Sequence, residues 1–247
     1  MSTTKRVAII TGAANGIGRA TAEAFAEAGY HVVAWDRAVA DAGLVAAIEA
    51  AGGSAQFVTV DVSERSAVEA AVASLLATHE RVDVLINNAG ILRDAQLVKL
   101  SEADFDAVIA VNLKGVFTCT QAVAPSMIAQ GYGRIINAAS VVGLYGNFGQ
   151  SNYVAAKSGV IGMTRVWARE LGRHGVTVNA IAPGFVATDM VAQMPEHVLE
   201  RMVARTPVGR IGAPADIARA YLFLADEHAG FISGAVLSVD GGMVVGT

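Results

Sequence analysis

The chain has 247 residues, 53% of them hydrophobic and 16% charged, with a net charge of −4 and no basic stripe. That balance can build a large core and excludes nucleic acid or an anionic membrane surface as the natural partner. The single cysteine, Cys119, excludes an internal disulfide framework, fits a reducing cytoplasmic setting and reads as a small core residue among apolar neighbours.

From the N-terminus, Met1-Ser2-Thr3-Thr4-Lys5-Arg6 leads into an apolar run too short for a signal-peptide core. Residues 7–11 form the first predicted strand. The glycine-rich Thr11-Gly12-Ala13-Ala14-Asn15-Gly16-Ile17-Gly18 follows at once and opens a helix over 16–28, which Gly29 closes. Further strands are predicted at 31–35, 55–60, 82–87, 133–138, 177–181 and 235–239. Between them lie helices at 41–51, 64–78, 101–130, 152–174 and 213–225, with Ser63 and Ser101 as caps and Asp104 three residues after the second. Most strands are near-continuous apolar runs, as in a parallel sheet covered on both faces. Repeated β-α-β units specify a doubly wound α/β sheet with right-handed crossovers. No linker or low-complexity tract interrupts the chain, so residues 1–247 read as one domain.

Two uncharged stretches, 115–133 and 135–156, contain Thr118, Thr120, Gln121, Ser126 and several Asn and Gly residues. A membrane span needs about 20 predominantly apolar residues, so both are expected to be buried elements of a globular domain. Segment 185–210 differs from the rest. It has no strand pattern, carries Met190, Met194 and Met202, and is bracketed by Pro183-Gly184 and Pro207. It reads as a helical lid over an apolar pocket, or equally as a surface excursion packed by its own side chains.

Three features carry chemistry. The glycine loop has the spacing G-x-x-x-G-x-G and sits between strand and helix, where backbone N–H groups attract a pyrophosphate and glycines let it approach. Asp36 ends the second strand in Ala34-Trp35-Asp36-Arg37, placed to accept a hydrogen bond from an adenosine ribose 2′-OH and to repel a 2′-phosphate. Asn15 stands where a phosphate-binding loop would carry a basic residue, so the pattern favours NAD over NADP, although Arg37 could pair with a phosphate. Tyr153 and Lys157, four apart on the predicted helix, project from one face at about 5–6 Å between Cβ atoms. Free tyrosine has a pKa of about 10; an ammonium beside it favours the phenolate and would make a usable general acid/base. The histidines at 31, 79, 174, 197 and 228 show no ligand spacing, so no metal site is expected.

The loop, Asp61-Val62, Asn87-Asn88-Ala89-Gly90, Asn112, Ser140, Tyr153, Lys157 and Pro183-Gly184 together resemble the short-chain dehydrogenase/reductases, in order and over the whole chain. Gly149-Gln150-Ser151-Asn152-Tyr153 and the ending Asp240-Gly241-Gly242-Met243 look most similar to bacterial 3-oxoacyl-(acyl-carrier-protein) reductases. The resemblance implies a Rossmann fold with seven parallel strands, and a ketone and a secondary alcohol interconverted by hydride transfer. It implies that Tyr153 exchanges the substrate proton and Ser140 hydrogen-bonds the substrate oxygen. Lys157 would hold the nicotinamide ribose and lower the Tyr153 pKa, and Asn112 would anchor a relay water in a kinked helix. Gly12, Asn15, Gly16, Ile17 and Gly18 would form the dinucleotide loop, Asp61 and Val62 would meet the adenine, and Asn88, Ala89 and Gly90 would line the cleft. Pro183, Gly184, Val186 and Thr188 would meet the nicotinamide carboxamide. A plainer reading makes Asn87-Asn88 a turn and Asn112 a buried group that satisfies backbone.

Helices 101–130 and 152–174 are apolar over more of their circumference than one sheet face buries, and the resemblance implies a 222 homotetramer built on them. Two departures weigh against an acyl carrier protein as partner. Ala129-Gln130-Gly131-Tyr132-Gly133 offers no cation before Arg134 where those reductases carry a docking residue, and the second such residue is displaced to Arg173. They also usually prefer NADPH, against the Asp36 reading. The residues thus point first to an NAD(H)-dependent oxidoreductase of small ketones and alcohols. The alternative is a 3-oxoacyl-(acyl-carrier-protein) or acyl-CoA thioester reductase using NADPH. A nucleotide-sensing protein or a structural subunit would not need Asn112, Ser140, Tyr153 and Lys157 all in place.

Overall fold

Val7–Thr11 (β1) is buried along its whole length, so it must lie between two helical layers. The computed structural model describes residues 5–38, 42–188 and 196–244. The remaining strands are His31–Asp36 (β2), Ser54–Thr59 (β3), Val84–Asn87 (β4), Gly133–Ala138 (β5), Val176–Pro183 (β6) and Val236–Val239 (β7). All seven pair in parallel, in the order β3-β2-β1-β4-β5-β6-β7. The winding reverses between β1 and β4, and such a switch point opens a crevice at the carboxyl ends of the strands.

The helices are Gly16–Glu27 (α1), Ala42–Ala50 (α2), Arg65–His79 (α3), Glu102–Ile109 (α4), Val116–Gln130 (α5), Val142–Tyr145 (α6), Ser151–Leu171 (α7), Glu196–Ala204 (α8) and Pro214–Ala225 (α9). On one sheet face α1 and α9 pack Phe25, Tyr221 and Leu224 against Ile10 and Val32. On the other, α3 and α5 pack Val72, Leu75, Val123 and Met127 against Trp35, Leu85 and Ile135. Each fully buried side chain of this size contributes about 1.5–3 kcal/mol. Cys119 lies in that second layer, as expected of a core residue, and burial pushes its thiol up to about 12.

The α1 terminus follows the expectation. Gly29, at φ 88°, donates to the Ala26 carbonyl at 3.0 Å, and Tyr30 N donates to the Phe25 carbonyl at 3.1 Å. Ser101 caps α4, accepting from Asp104 N at 3.1 Å and donating to its carboxylate at 2.6 Å. Ser63 does not cap α3. Its hydroxyl donates to Asp61 Oδ1 at 2.6 Å instead, and Glu64 occupies the cap position with no side-chain bond. The predicted helix 101–130 is continuous but changes winding: Ala110–Gly115 is a π-helical turn between α4 and α5. Although Glu102–Gln130 is long and apolar enough to cross a membrane, Val108, Val116, Val123 and Met127 are buried within the domain. The predicted helix 152–174 ends its α-helical winding at Leu171 and finishes as a 3-10 turn, Gly172–His174. Within 185–210 the described residues include α8 and a bridge between Val186 and Gly212. Met190 and Met194 lie outside the described residues.

Candidate active site

The crevice at the β1/β4 switch point is a cavity of about 430 Å³. Its floor is the loop predicted from the glycines: Gly12, Asn15, Gly16, Ile17 and Gly18 all line it. Gly12 and Gly16 adopt φ 67° and 53°, and a Cβ on Gly18 would stand 1.9 Å from the Gly12 carbonyl oxygen. Only glycine fits there. The first turn of α1 carries no acidic residue, and its N-cap Asn15 makes no side-chain cap bond, so the helix N-terminus offers its N–H groups to an anion. This cradle fits a dinucleotide pyrophosphate.

Asp36 lines the same cleft from the end of β2, its two carboxylate oxygens accepting from Ala14 N at 3.1 Å and Ala38 N at 3.0 Å. The carboxylate is thereby fixed against the loop. Asp61 and Val62 enter from beyond β3, and Asn88, Ala89 and Gly90 from beyond β4. Asn88 is more than a turn residue. Its Nδ2 donates to the Thr11 carbonyl at 3.0 Å, while Asn88 N and Ala89 N both donate to Thr11 Oγ1, at 3.0 and 2.9 Å. The loop after β4 thus braces the loop after β1. Thr188 closes the rim opposite Gly16, with its Cγ2 3.3 Å from where a Gly16 Cβ would lie.

Pro183, Gly184 and Val186 do not line this cavity. They continue β6 beyond it. The Pro183 carbonyl accepts from Val141 N at 3.1 Å, Gly184 N donates to Val239 O at 3.1 Å, and Val186 is buried. Arg37, weighed above as a possible phosphate partner, lines the cleft as well, and so do Val60, Ile91 and Val111, which the sequence did not single out. Val111 stands next to Asn112, so sequence adjacency was the available signal; Val60 and Ile91 carry none.

Tyr153 and Lys157 share one face of α7, with the Lys157 Nζ 5.5 Å from the Tyr153 ring centroid. Lys157 is buried, and its Nζ donates to the Ala138 carbonyl at 2.6 Å. Burial lowers its pKa to about 8. Burial pushes Tyr153 up to about 12, a rise that the Ser140 hydrogen bond opposes and the Asp94 charge adds to. In place of the expected lowering by Lys157, desolvation of the phenolate raises Tyr153, and the ammonium is directed at a backbone oxygen. Ser140 follows β5, its Oγ accepting from Val142 N at 3.4 Å.

Asn112 sits fully buried in the π-helical turn, where its Oδ1 accepts from Ile91 N at 2.8 Å and its Nδ2 donates to Ile91 O at 2.9 Å. The amide is spent on backbone, as the plainer reading had it, and the kink is the π turn. Asn152, present in the Gly149–Tyr153 motif but given no role there, braces the start of α7. Its Nδ2 donates to Arg93 O at 2.9 Å and its Oδ1 accepts from Tyr153 N at 2.8 Å, tying the start of α7 to the loop after β4.

A doubly wound parallel sheet, an anion cradle at its switch point and a Ser-Tyr-Lys cluster beside it define a dinucleotide-dependent oxidoreductase. Residues 12–244 match the family model described as Enoyl-(Acyl carrier protein) reductase. The chain is 47% identical over 241 residues to the 3-oxoacyl-[acyl-carrier-protein] reductase FabG of Thermotoga maritima, covering 97% of this chain and 98% of that one. It is 47% identical over 246 residues to the 3-oxoacyl-[acyl-carrier-protein] reductase of Synechocystis sp., with 98% of each covered. Identity is 46% over 248 residues to the (2S)-[(R)-hydroxy(phenyl)methyl]succinyl-CoA dehydrogenase subunit BbsD of Thauera aromatica, again with 98% of each covered. The chain belongs to the short-chain dehydrogenase/reductase family. It is an oxidoreductase of CH–OH and keto groups that works with a nicotinamide cofactor.

Proposed function

We propose that this chain reduces the keto group of a 3-oxoacyl thioester, with NADH as its preferred reductant. The observation that carries the substrate class is near-full-length identity of 47% to two proteins named as 3-oxoacyl-[acyl-carrier-protein] reductases. This favours the thioester alternative over a dehydrogenase of simple alcohols. The cofactor choice rests on Asp36, held by the backbone N–H groups of Ala14 in the glycine loop and of Ala38 in the turn after β2.

When bound, a reduced nicotinamide supplies the hydride. The remaining work falls to side chains. The Tyr153 phenol, protonated at neutral pH, gives its proton to the oxygen on which charge develops. The Ser140 hydroxyl, close enough to Tyr153 to oppose the rise in its pKa, holds that oxygen in reach of the phenol. Lys157 keeps a buried cation on this face of α7 and binds the nicotinamide ribose. Asn112 fixes the π turn against Ile91, and Asn15, Gly16 and Ile17 hold the pyrophosphate. The described part of segment 185–210, with α8, serves as a lid for the acyl group, and the enzyme works in the cytoplasm as a tetramer.

A CoA-borne substrate is favoured over a protein-borne one by one specific observation. At the first expected docking position, Gln130 is spent on Val82, its Nε2 donating to Val82 O at 2.9 Å and its Oε1 accepting from Val82 N at 3.0 Å. Arg134 is buried against backbone carbonyls. The test is NADH consumption with acetoacetyl-CoA, acetoacetyl-acyl carrier protein and cyclohexanone side by side. The reading expects both thioesters to exceed the simple ketone by at least tenfold in kcat/KM, and a simple ketone that exceeds them would overturn it.

A further inference from the structure

Beneath the catalytic end of the sheet runs a chain of buried polar side chains with no part in the cleft. Asn87 ends β4 and is directly opposite Asn137 of β5 in the sheet register. Asn87 Nδ2 donates to Asn137 Oδ1 at 2.8 Å and to Thr120 Oγ1 of α5 at 3.0 Å. Asn137 Nδ2 donates to Thr164 Oγ1 of α7 at 2.9 Å, and that hydroxyl donates to the Val160 carbonyl at 2.8 Å. Asn137 and Thr164 are both fully buried, at 0% exposure. The line joins two strands and the helices on one side of the sheet.

Its place in the chain gives it a consequence. Thr164 follows Lys157 by two helical turns, so both lie on the stripe of α7 that faces β5. Asn137 directly precedes Ala138, whose carbonyl accepts from Lys157 Nζ at 2.6 Å. Helix α7 therefore meets β5 at two polar points, one beneath the other. Apolar packing alone tolerates small sliding of a helix on a sheet, whereas a buried polar pair specifies register because its misplacement leaves both groups unpaired. We propose that Asn137 and Thr164 are positioning residues that set the register of α7 on β5 and so hold Lys157 at the Ala138 carbonyl and beneath the nicotinamide ribose. This rests on the ribose-binding role given to Lys157 above.

The test replaces Thr164 by valine, which keeps the shape and deletes the hydroxyl, and by serine, which restores it. Thr118→Val on α5 is the control, since the Thr118 hydroxyl is buried without a partner among the described residues. NADH affinity is read by fluorescence titration, and the pH profile of thioester reduction by initial rates. Thr164→Val is expected to weaken NADH at least fivefold and to move the alkaline limb of the profile by half a pH unit or more. Thr164→Ser and Thr118→Val should stay within twofold of wild type. If Thr164→Val does not fold, Asn137→Ser shortens the same bridge from the strand side and carries the same expectation. A Thr164→Val protein that binds NADH within twofold of wild type, with an unmoved profile, overturns the inference whatever its Tm. Loss of the functional reading would look different: wild type itself would reduce no thioester, while NADH affinity would still report on the bridge.

Discussion

Lys157 Nζ donates a 2.6 Å hydrogen bond to the Ala138 carbonyl, and its charge is thereby directed at β5 while the Tyr153 ring centroid lies 5.5 Å away. Strand and helix are separated by 19 residues at this contact, so the face of α7 that carries Tyr153 and Lys157 is docked to the sheet here. The pair does not act as the isolated helical couple that a spacing of four would suggest.

That arrangement sets a pH dependence. Tyr153 is pushed up to about 12 and Lys157 down to about 8, in both cases first by burial. A raised phenol keeps its proton through neutral pH, as the proposed acid of reduction must. A lowered ammonium is charged below about pH 8 and loses its charge above. Reduction should therefore hold level to about pH 8 and fall beyond it. Alcohol oxidation, which needs the phenolate as proton acceptor, should climb with pH. Initial rates in both directions from pH 6 to 10 check this, and a reduction rate still rising at pH 10 would contradict it.

Asp36 should decide the cofactor. A carboxylate facing a 2′-phosphate in a partly desolvated cleft costs several kcal/mol, enough for about a hundredfold preference for NADH. Arg37, lining the same cleft, offsets part of that. Asp36→Ala is expected to lower kcat/KM with NADH and raise it with NADPH, and a basic residue at Asn15 should extend the switch. A wild-type preference for NADPH would show that the carboxylate does not discriminate.

Gly18 has no room for a side chain, since its Cβ would fall 1.9 Å from the Gly12 carbonyl. Gly18→Ala must displace the loop, at a cost of about 1–3 kcal/mol in stability and a loss of most NADH affinity. Thermal unfolding with and without NADH reads both. Undiminished stabilisation by NADH would mean that the pyrophosphate does not sit on this loop.

Assembly is the fourth expectation. Phe105 of α4, Phe117 of α5 and Val166 of α7 are partly exposed, as are Phe223 of α9 and Leu237 of β7. Apolar surface of this kind on two sides of the domain suits two interfaces. Light scattering should give four times the 25.4 kDa protomer mass, and a stable monomer at micromolar concentration would refute it.

The strands were legible because their cores are apolar on both faces; β1 and β5 coincide with the predicted bounds, and others differ by one or two residues. β6 runs on to Pro183 because its pairing with β7 extends there. The glycine loop was legible from its position between strand and helix. The π turn at Ala110–Gly115 was not, because one extra residue in a turn barely disturbs the apolar spacing of a long helix. Ser63 satisfied the rule for a cap and was taken by Asp61 instead, a competition between neighbours that residue type alone does not decide. The Tyr153 shift was misread because spacing reports a nearby cation but not the depth of burial. The Asn137–Thr164 bridge spans 27 residues, and no local pattern announces it.

Tyr153 is the residue on which the proposed chemistry turns. NADH oxidation is followed at its absorbance band with acetoacetyl-CoA, for wild type and Tyr153→Phe, beside NADH affinity measured by fluorescence. The expected result is robust wild-type turnover, a fall of about a thousandfold or more in kcat for Tyr153→Phe, and NADH binding within a few-fold, since the phenyl ring preserves the packing and only the hydroxyl that donates the proton is removed. Turnover by Tyr153→Phe within tenfold of wild type would contradict the assignment of the proton donor and, with it, the reading of the site.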